Sequence, residues 1–226
     1  MSQDYGNVEY IVIDGLSSDR TMQIVNQYSA RIAISVSEKD SGMYDAINKG
    51  ISLASGNIIG ILNADDAFSS PNVLSLIADG FLQNPNNEAV IGNIVFVNNQ
   101  DKVFRYYSSQ GWTSEKFTWG FMPPHPSFYC KKEAFIKYGN YYTDFEIAAD
   151  YELMIRFFKT NSIKYKYLPF TMVNMKMGGK STSGLCSTIK INQEILRACK
   201  LNGLKTNYLK LYLKYFFKIS EFFKLA

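Results

Sequence analysis

Two adjacent aspartates, Asp65 and Asp66, stand two residues after the apolar run 58–62. Neighbouring carboxylates repel each other, and burying one of them without a partner costs free energy. Ligands of an open α/β sheet bind beyond the carboxyl ends of its strands, where these acids would lie. A hard divalent cation offsets the repulsion and bridges phosphate oxygens. The alternative is a helix cap, but Ser70 before Pro71 is better placed for that. We therefore favour a cation site.

Asp14 ends a second short apolar run, residues 9–13, in the same way. Taken alone, it is explained equally well as a turn residue or as a ligand contact. Two predicted strands that deliver acids to one edge of a parallel sheet favour the ligand contact.

Asp150 and His125 are the other candidates for chemistry. Asp150 opens a predicted helix, so it is either an N-cap or a general base kept ionised by the positive end of the helix. Spacing alone slightly favours the cap. His125, within PPHPSFY, fits a structural loop residue better than a catalyst, although the rigid prolines could also present it to a substrate.

The segment GGKST, residues 178–182, is similar to the end of a phosphate-binding P-loop. Asn174 stands where that motif requires its first glycine, and the segment does not open a helix after a buried strand. The chain also lacks G-x-G-x-x-G. We therefore exclude a P-loop and find no support for a dinucleotide cofactor.

Strand and helix patterns alternate along the chain, which predicts an α/β domain with a mostly parallel sheet. The predicted strands are residues 9–13, 32–36, 57–62, 89–97, 102–107 and 164–170. The predicted helices are residues 21–28, 43–54, 70–82 and 150–158, together with most of the C-terminal third.

Composition bounds the class of protein. The 226 residues suffice for one well-buried domain, and a hydrophobic content of 46% predicts a packed core. Three widely spaced cysteines and a single histidine argue against a disulfide framework or a zinc site and suit the reducing cytosol. The N-terminal residues are polar and acidic, unlike a signal peptide, and no uncharged apolar run is long enough to span a membrane.

The net charge of +4 lies entirely in residues 204–226, which hold five lysines and one glutamate. Residues 1–203 are balanced, so nucleic acid is not an expected partner. Lys210, Lys214 and Lys218 recur every four residues among large apolar side chains. Two interpretations stay open: a helix packed on the domain with a solvated lysine face, or an interfacial helix on anionic lipid. We favour the second, with residues 204–226 resting on the cytoplasmic face of the membrane without spanning it.

Five segments, taken together and in order, resemble the family 2 (GT-A fold) glycosyltransferases of bacterial polysaccharide and O-antigen assembly, of the colanic-acid type. The resemblance runs from about residue 8 to beyond residue 183. The segments are EYIVIDGLSSDRT, SEKDSGMYDAINKGISLASGNIIGILNADD, HPSFYCKKEAFIKYG, IAADYELMIRF and MGGKST.

The resemblance implies transfer of a sugar, with inversion, from a UDP- or GDP-linked donor to a hydroxyl of a glycan or lipid-linked acceptor. It also implies a Mg²⁺ or Mn²⁺ cofactor. By position, the resemblance implies that Asp14 contacts the nucleobase, that Asp45 and Asn48 shape the nucleotide pocket, and that Asp65 lies near the ribose. It implies that Asp66 binds the metal and that Asp150 is the catalytic base. His125, Gly178 and Gly179 would lie on the acceptor side.

Family members normally begin with a further strand and helix before the segment that starts here at Glu9. We therefore expect an N-terminally shortened sheet. Two alternatives follow: a truncated, inactive GT-A domain kept as a binding partner, or a nucleotidyltransferase. The second usually carries a glycine-rich basic loop near its N-terminus, which this sequence lacks. Metal-dependent binding of UDP or GDP separates the enzyme from the inactive domain.

Overall fold

Strands and helices alternate through most of the fold, which is described by a computed structural model for residues 2–176 and 185–218. The strands are β1 (Ile11–Asp14), β2 (Ile34–Ser37), β3 (Ile58–Gly60), β4 (Ala67–Phe68), β5 (Ala89–Val97), β6 (Val103–Tyr107), β7 (Tyr129–Lys131) and β8 (Tyr165–Lys176). The α-helices are α1 (Thr21–Gln27), α2 (Met43–Leu53), α3 (Val73–Leu82), α4 (Lys132–Tyr138), α5 (Ala149–Met154), α6 (Leu185–Leu201) and α7 (Tyr208–Lys218). A π-helical segment, Ile155–Thr160, continues α5.

The strands form two sheets. β1 and β2 pair in parallel, and the larger sheet has the order β3-β7-β5-β8-β4, with β6 also paired to β5. Within the described residues, β5–β8 is the parallel pairing of the larger sheet, and its other four pairings are antiparallel. The predicted α/β class is confirmed, with a mixed sheet instead of a mostly parallel one. The difference arises because β4 and β7 are too short to produce a periodic pattern, and both pair antiparallel with long neighbours.

A hydrogen-bonded contact joins the start of β1 to the segment before β3. The carboxylate of Glu9, before β1, accepts the backbone N–H groups of Ser55 (2.7 Å) and Gly56 (3.2 Å), which precede β3. β1 and β3 belong to different sheets. That Asp14 and the acids after β3 lie at one edge stays a prediction.

Two helices differ in detail from the sequence pattern. On α2, Tyr44 and Ile51 are buried and Ile47 packs partly buried against the same core, whereas Met43, the first residue of the helix, is exposed. α3 begins at Val73, and Ser70 is neither its N-cap nor bonded to its first turn.

All nine residues of β5 are buried, because layers cover both faces of this central strand. Ala89 and Ile91 face a core of aromatic rings that includes Phe117 and Phe157. Val90, Ile94 and Phe96 face a second core that α3 closes. The continuous apolar run in the sequence is the signature of such a strand.

A buried ion pair anchors α5 to the loop before it. Arg156 donates to Glu152 (2.8 Å), and both side chains are almost fully buried. The Arg156 guanidinium also donates to the carbonyl oxygens of Gly139 (2.8 Å) and Asn140 (2.8 Å), while Glu152 accepts from Asn202 of α6 (3.2 Å). These bonds fix the loop that carries Tyr141.

The C-terminal helix α7 packs on the domain through a face that includes lysines, which the sequence pattern does not predict. Leu211 and Lys214 are buried, and the Lys214 ammonium donates to Asn192 Oδ1 (3.0 Å). Lys210 lies over the ring of Trp119, 5.3 Å from its centroid. The expected solvated or lipid-facing lysine stripe is therefore wrong for these two residues, because their long stems cover the domain surface. The side chain of Lys218 lies outside the described residues. Among the described helices, none has the length and apolar character needed to cross a bilayer.

We expect Arg156→Met to reduce the free energy of unfolding by about 3–5 kcal/mol, because it leaves the buried Glu152 carboxylate without its ionic partner. Urea denaturation followed by circular dichroism measures this change. The matched control is Arg197→Met, which removes an exposed ion pair with Asp144 and should cost about 1 kcal/mol or less. Equal losses in the two variants would contradict the structural role assigned to Arg156.

Candidate active site

Asp14, the last residue of β1, has a carboxylate that hydrogen bonds fix in place at the end of the two-stranded sheet. Its side chain accepts hydrogen bonds from the Ser17 backbone N–H (3.1 Å) and from Ser37 Oγ at the end of β2 (2.6 Å). These bonds hold the pKa of Asp14 below its usual range. Gly15 follows, and Asp40 lies so close that a Cβ there would sit 2.5 Å from Asp40 Oδ2. Asp14 is therefore a fixed, ionised hydrogen-bond acceptor, and the backbone of the next residue, Gly15, lies close to the Asp40 side chain.

Asp66 lies in the loop after β3 with one oxygen unsatisfied. Asn63 Nδ2 donates to Asp66 Oδ2 (3.0 Å), whereas the buried Oδ1 has no hydrogen-bond partner within the part of the chain that the structure describes. Burial raises the pKa of Asp66, and the neighbouring carboxylate of Asp65 raises it further. Asp65 itself is exposed. The pair does not cap α3, because β4 stands between them.

The donor set around Asp66 suits a divalent cation that a ligand helps to hold. Among the described residues, no three His, Cys, Asp or Glu side chains come together as a metal cluster. Mg²⁺ is commonly bound by one or two protein carboxylates, with substrate phosphates and water completing the shell. A buried carboxylate oxygen without a hydrogen-bond donor is a costly feature that a cation would compensate. Asp66 and the exposed Asp65 therefore fit such a cation.

Asp150 is the second residue of α5, and the segment that leads into that helix is held by another carboxylate. Glu194 of α6 accepts the backbone N–H groups of Glu146, Ile147 and Ala148, each at 2.8 Å. The N-cap position of α5 is Ala148, and no side-chain hydrogen bond among the described residues caps the helix. The interpretation of Asp150 as the N-cap is therefore wrong, because Asp150 lies inside the first turn, two positions after the N-cap.

The surroundings of Asp150 strengthen it as a proton acceptor. Its Oδ1 accepts the backbone N–H of Tyr151 (2.8 Å) and, more weakly, the hydroxyl of Tyr44 (3.4 Å). Burial raises the pKa of Asp150, and the charge of His125 works in the opposite direction. Burial lowers the pKa of His125, whose Nε2 is 2.8 Å from the hydroxyl of Tyr141. A half-buried carboxylate with a raised pKa is poised to accept a proton.

Residues in the first turns of α2 make hydrogen bonds to the segments around Asp150 and Tyr141. The Tyr44 hydroxyl donates to the Ile147 carbonyl (2.5 Å), and Asp45 accepts the Ser41 backbone N–H (3.0 Å) in front of the helix. The Asn48 amide bonds both the carbonyl (2.8 Å) and the N–H (3.0 Å) of Tyr141. Asn48 thus fixes the residue that contacts His125, and its assignment to the nucleotide pocket stays a prediction.

The structure brings Asp150, His125 and, through Tyr141, Asn48 into one cluster. No hydrogen bond among the described residues joins Asp14 or the Asp65–Asp66 pair to that cluster. Gly178 and Gly179 lie outside the described residues. The preceding strand β8 ends at Lys176, whose backbone contributes to the electrostatic environment of Asp66.

Sequence reasoning missed four residues that shape the site: Tyr44, Tyr141, Glu194 and Ser37. Tyr44 carries a usable signal, since it shares a helical face with Ile47 and Ile51. Glu194 and Tyr141 carry none, because their roles depend on contacts with residues far away in the chain.

The chain is similar to known proteins along most of its length. The model of the family "Glycosyl transferase family 2" matches residues 1–147. A PGL/p-HBAD biosynthesis glycosyltransferase of Mycobacterium bovis is 24% identical over 198 residues, which cover 86% of this chain and 73% of the relative. An uncharacterized glycosyltransferase of Mycobacterium tuberculosis is 31% identical over 156 residues, which cover 67% of this chain and 57% of the relative.

Two solved structures share the fold. TarS 1-349 of S. aureus in complex with UDP-GlcNAc superposes with a TM-score of 0.67 at 16% identity, over 91% of this chain and 61% of that one. The mannosyltransferase PcManGT from Pyrobaculum calidifontis, in complex with GDP-Man and Mn²⁺, has a TM-score of 0.64 at 20% identity, over 92% and 59%. The chain thus spans about three fifths of each solved protein, and the likeness confirms the predicted GT-A fold.

Proposed function

The chain belongs to glycosyl transferase family 2, and from this premise we propose that it transfers a sugar, with inversion, from a UDP- or GDP-linked donor. The acceptor is a hydroxyl of a glycan or a lipid-linked molecule in surface polysaccharide biosynthesis, and the cofactor is Mg²⁺ or Mn²⁺. The observation that carries the proposal is the buried Oδ1 of Asp66, which has no hydrogen-bond partner among the described residues.

The donor binds at Asp14 and at the acids after β3. Asp14 contacts the nucleotide base, Asp45 and Asn48 shape the pocket, and Asp65 faces the ribose. Support comes from the fixed carboxylate of Asp14 and from neighbours of the same fold that hold UDP-GlcNAc, or GDP-Man with Mn²⁺. Asp66, helped by Asn63, holds the cation against the donor diphosphate. When bound, the cation supplies positive charge for the leaving diphosphate.

Asp150 accepts the proton of the acceptor hydroxyl. As the hydroxyl oxygen bonds to the anomeric carbon, the bond from that carbon to the diphosphate breaks on the opposite face, and the proton passes to the carboxylate. Oδ1 is already held by Tyr151 and Tyr44, so Oδ2 is the oxygen that takes the proton. One base without a carboxylate nucleophile gives inversion, since a retaining double displacement needs that nucleophile. His125 lies on the acceptor side of this group.

The domain contacts the cytoplasmic face of the membrane through the apolar face of α7. Leu209 and Phe216 are more than 70% exposed, and Tyr212 and Leu213 lie between them on the same helical face. Lys205 and Lys210 add positive charge nearby, which suits anionic lipid. This replaces the lysine stripe as the proposed contact, because Lys214 is buried against the domain.

We expect Asp66→Asn to weaken Mn²⁺-dependent binding of UDP or GDP by at least about tenfold, because it removes the anionic cation ligand. Isothermal titration calorimetry with MnCl₂, and again with EDTA, measures the effect. Asp79→Asn, an exposed acid on α3, is the matched control and should bind like the unaltered protein. If no nucleoside diphosphate binds with any metal, the proposal fails and the inactive-domain alternative gains support.

We expect Asp150→Asn to keep donor affinity within about twofold and to lower the transfer rate by about 10²–10⁴-fold, the usual contribution of a general base. Release of UDP or GDP, measured with membrane extract as the acceptor source, reports transfer. In the unaltered protein the rate should fall as the pH drops through the raised pKa of Asp150, which lies above the ordinary value of 3.8. Loss of donor binding in the variant would instead indicate a structural role.

We expect the double change Leu209→Ser and Phe216→Ser to reduce sedimentation with phosphatidylglycerol vesicles by about tenfold or more, because it removes two apolar side chains from the contact. The control exchanges two equally exposed residues elsewhere, Leu82→Ser and Ile136→Ser. Membrane association that survives the first pair, or that is lost equally with the second, would exclude α7 as the contact.

A further inference from the structure

A cavity of about 530 Å³ opens between α7, β6 and the loop that follows β6. We propose that it binds the apolar chain of a lipid-linked acceptor. The inference rests on the proposed function and names the acceptor class. Six apolar side chains of the lining carry the argument: Tyr106, Trp112, Trp119, Phe121, Met122 and Phe217. Its size and its aromatic walls are those of a small-molecule site.

The polar atoms of the lining are largely engaged within the protein. The Tyr107 hydroxyl donates to the Met122 carbonyl (2.6 Å), and Trp112 Nε1 donates to the Phe121 carbonyl (3.4 Å). Ser108 Oγ donates to Asn93 Oδ1 (3.0 Å). A ligand rich in hydroxyl groups would lose its hydrogen bonds to water here and find few in return.

The charges of the lining also favour a lipid over a bare glycan. Among the described residues that line the cavity there is no carboxylate, and Lys116 is the one charged side chain. The Lys116 ammonium donates to the Gly111 carbonyl (2.7 Å) and retains further donors for an anion, such as the phosphate of a lipid carrier. An apolar chain with a phosphate at one end matches this lining.

The cavity is connected to the candidate base through the chain. Met122 stands three residues before His125, which contacts Tyr141 and lies near Asp150. Tyr151, directly after Asp150, donates its hydroxyl to the carbonyl of Phe117, in the turn between Trp112 and Trp119. A chain held in the cavity would therefore have its attached sugar on the acceptor side of the base.

The cavity also continues into the exposed apolar face of α7. Phe217 contributes to the lining, while its neighbour Phe216 points to solvent beside Leu209 and Leu213. A lipid chain leaving a bilayer at this face would meet apolar surface all the way into the cavity, which lowers the cost of extracting it.

The two tryptophans of the whole sequence, Trp112 and Trp119, both line this cavity, so their fluorescence reports on it. The test titrates the full chain with farnesyl phosphate below its micelle concentration, without nucleotide, metal or membrane. Farnesol is the uncharged-chain probe, and glycerol 3-phosphate and N-acetylglucosamine are the probes without an apolar chain. We expect saturable changes with the first two probes and none with the others.

Phe217→Ala should weaken farnesyl phosphate binding by about tenfold, the effect of removing a phenyl ring from an apolar contact. The matched control, Phe216→Ala on the same helix, should bind within about twofold of the unaltered protein. Trp119→Phe should retain binding, followed by calorimetry, while losing most of the fluorescence change. Circular dichroism verifies the fold of each variant.

Three results would overturn the proposal: no response to either isoprenoid, equal weakening by the Phe217 and Phe216 changes, or saturable binding of N-acetylglucosamine in place of the isoprenoids. The last result would make the cavity a glycan site. Because no nucleotide enters these titrations, they fail or succeed independently of the Asp66 experiment. Loss of donor binding and loss of lipid binding are therefore distinguishable.

Discussion

The candidate site depends on one carboxylate that takes no part in the chemistry. Glu194 accepts three consecutive backbone N–H groups in front of α5. These bonds tie the segment that leads into α5 to α6, and so fix the position of Asp150, the second residue of α5. The buried pair of Glu152 and Arg156 acts in the same direction, because it fixes the loop that presents Tyr141.

The candidate acids Asp14, Asp66 and Asp150 differ in environment, and the difference matches the roles proposed for them. Asp14 receives a serine hydroxyl and a backbone N–H, which lower its pKa and keep it an ionised acceptor. Asp66 and Asp150 are both desolvated, which raises their pKa values. Asp66 has a neighbouring acid and an unsatisfied oxygen, an arrangement that a cation relieves. Asp150 has a tyrosine and a histidine as neighbours, an arrangement that suits proton transfer.

Sequence alone predicted most strands and the acids that end them, because those signals are local. The mostly apolar nine-residue strand β5 and the acids at the end of β1 and after β3 needed no tertiary information. Prediction from the sequence failed where contacts between residues far apart in the chain determine the local structure. The short strands β4 and β7 acquire their direction from β8 and β5, and the carboxylate that holds the segment before α5 comes from α6. In the first turn of α2, Tyr44 is buried and Met43 is exposed, because the Tyr44 hydroxyl bonds the distant Ile147 carbonyl.

The C-terminal helix also depends on long-range contacts. Its composition indicated an amphipathic helix, but it did not indicate which residues face the domain and which face outward. Lysines spaced by four suggest a charged stripe, but a lysine stem can cover apolar surface while its ammonium finds an acceptor. Lys214 does this against Asn192, and Lys210 does it against Trp119. Because these positions face the domain, the helix turns its aromatic and aliphatic side chains outward, next to the aromatic cavity. An apolar outer face beside an apolar cavity is costly in water. That cost is offset if the partner of this surface is itself a lipid.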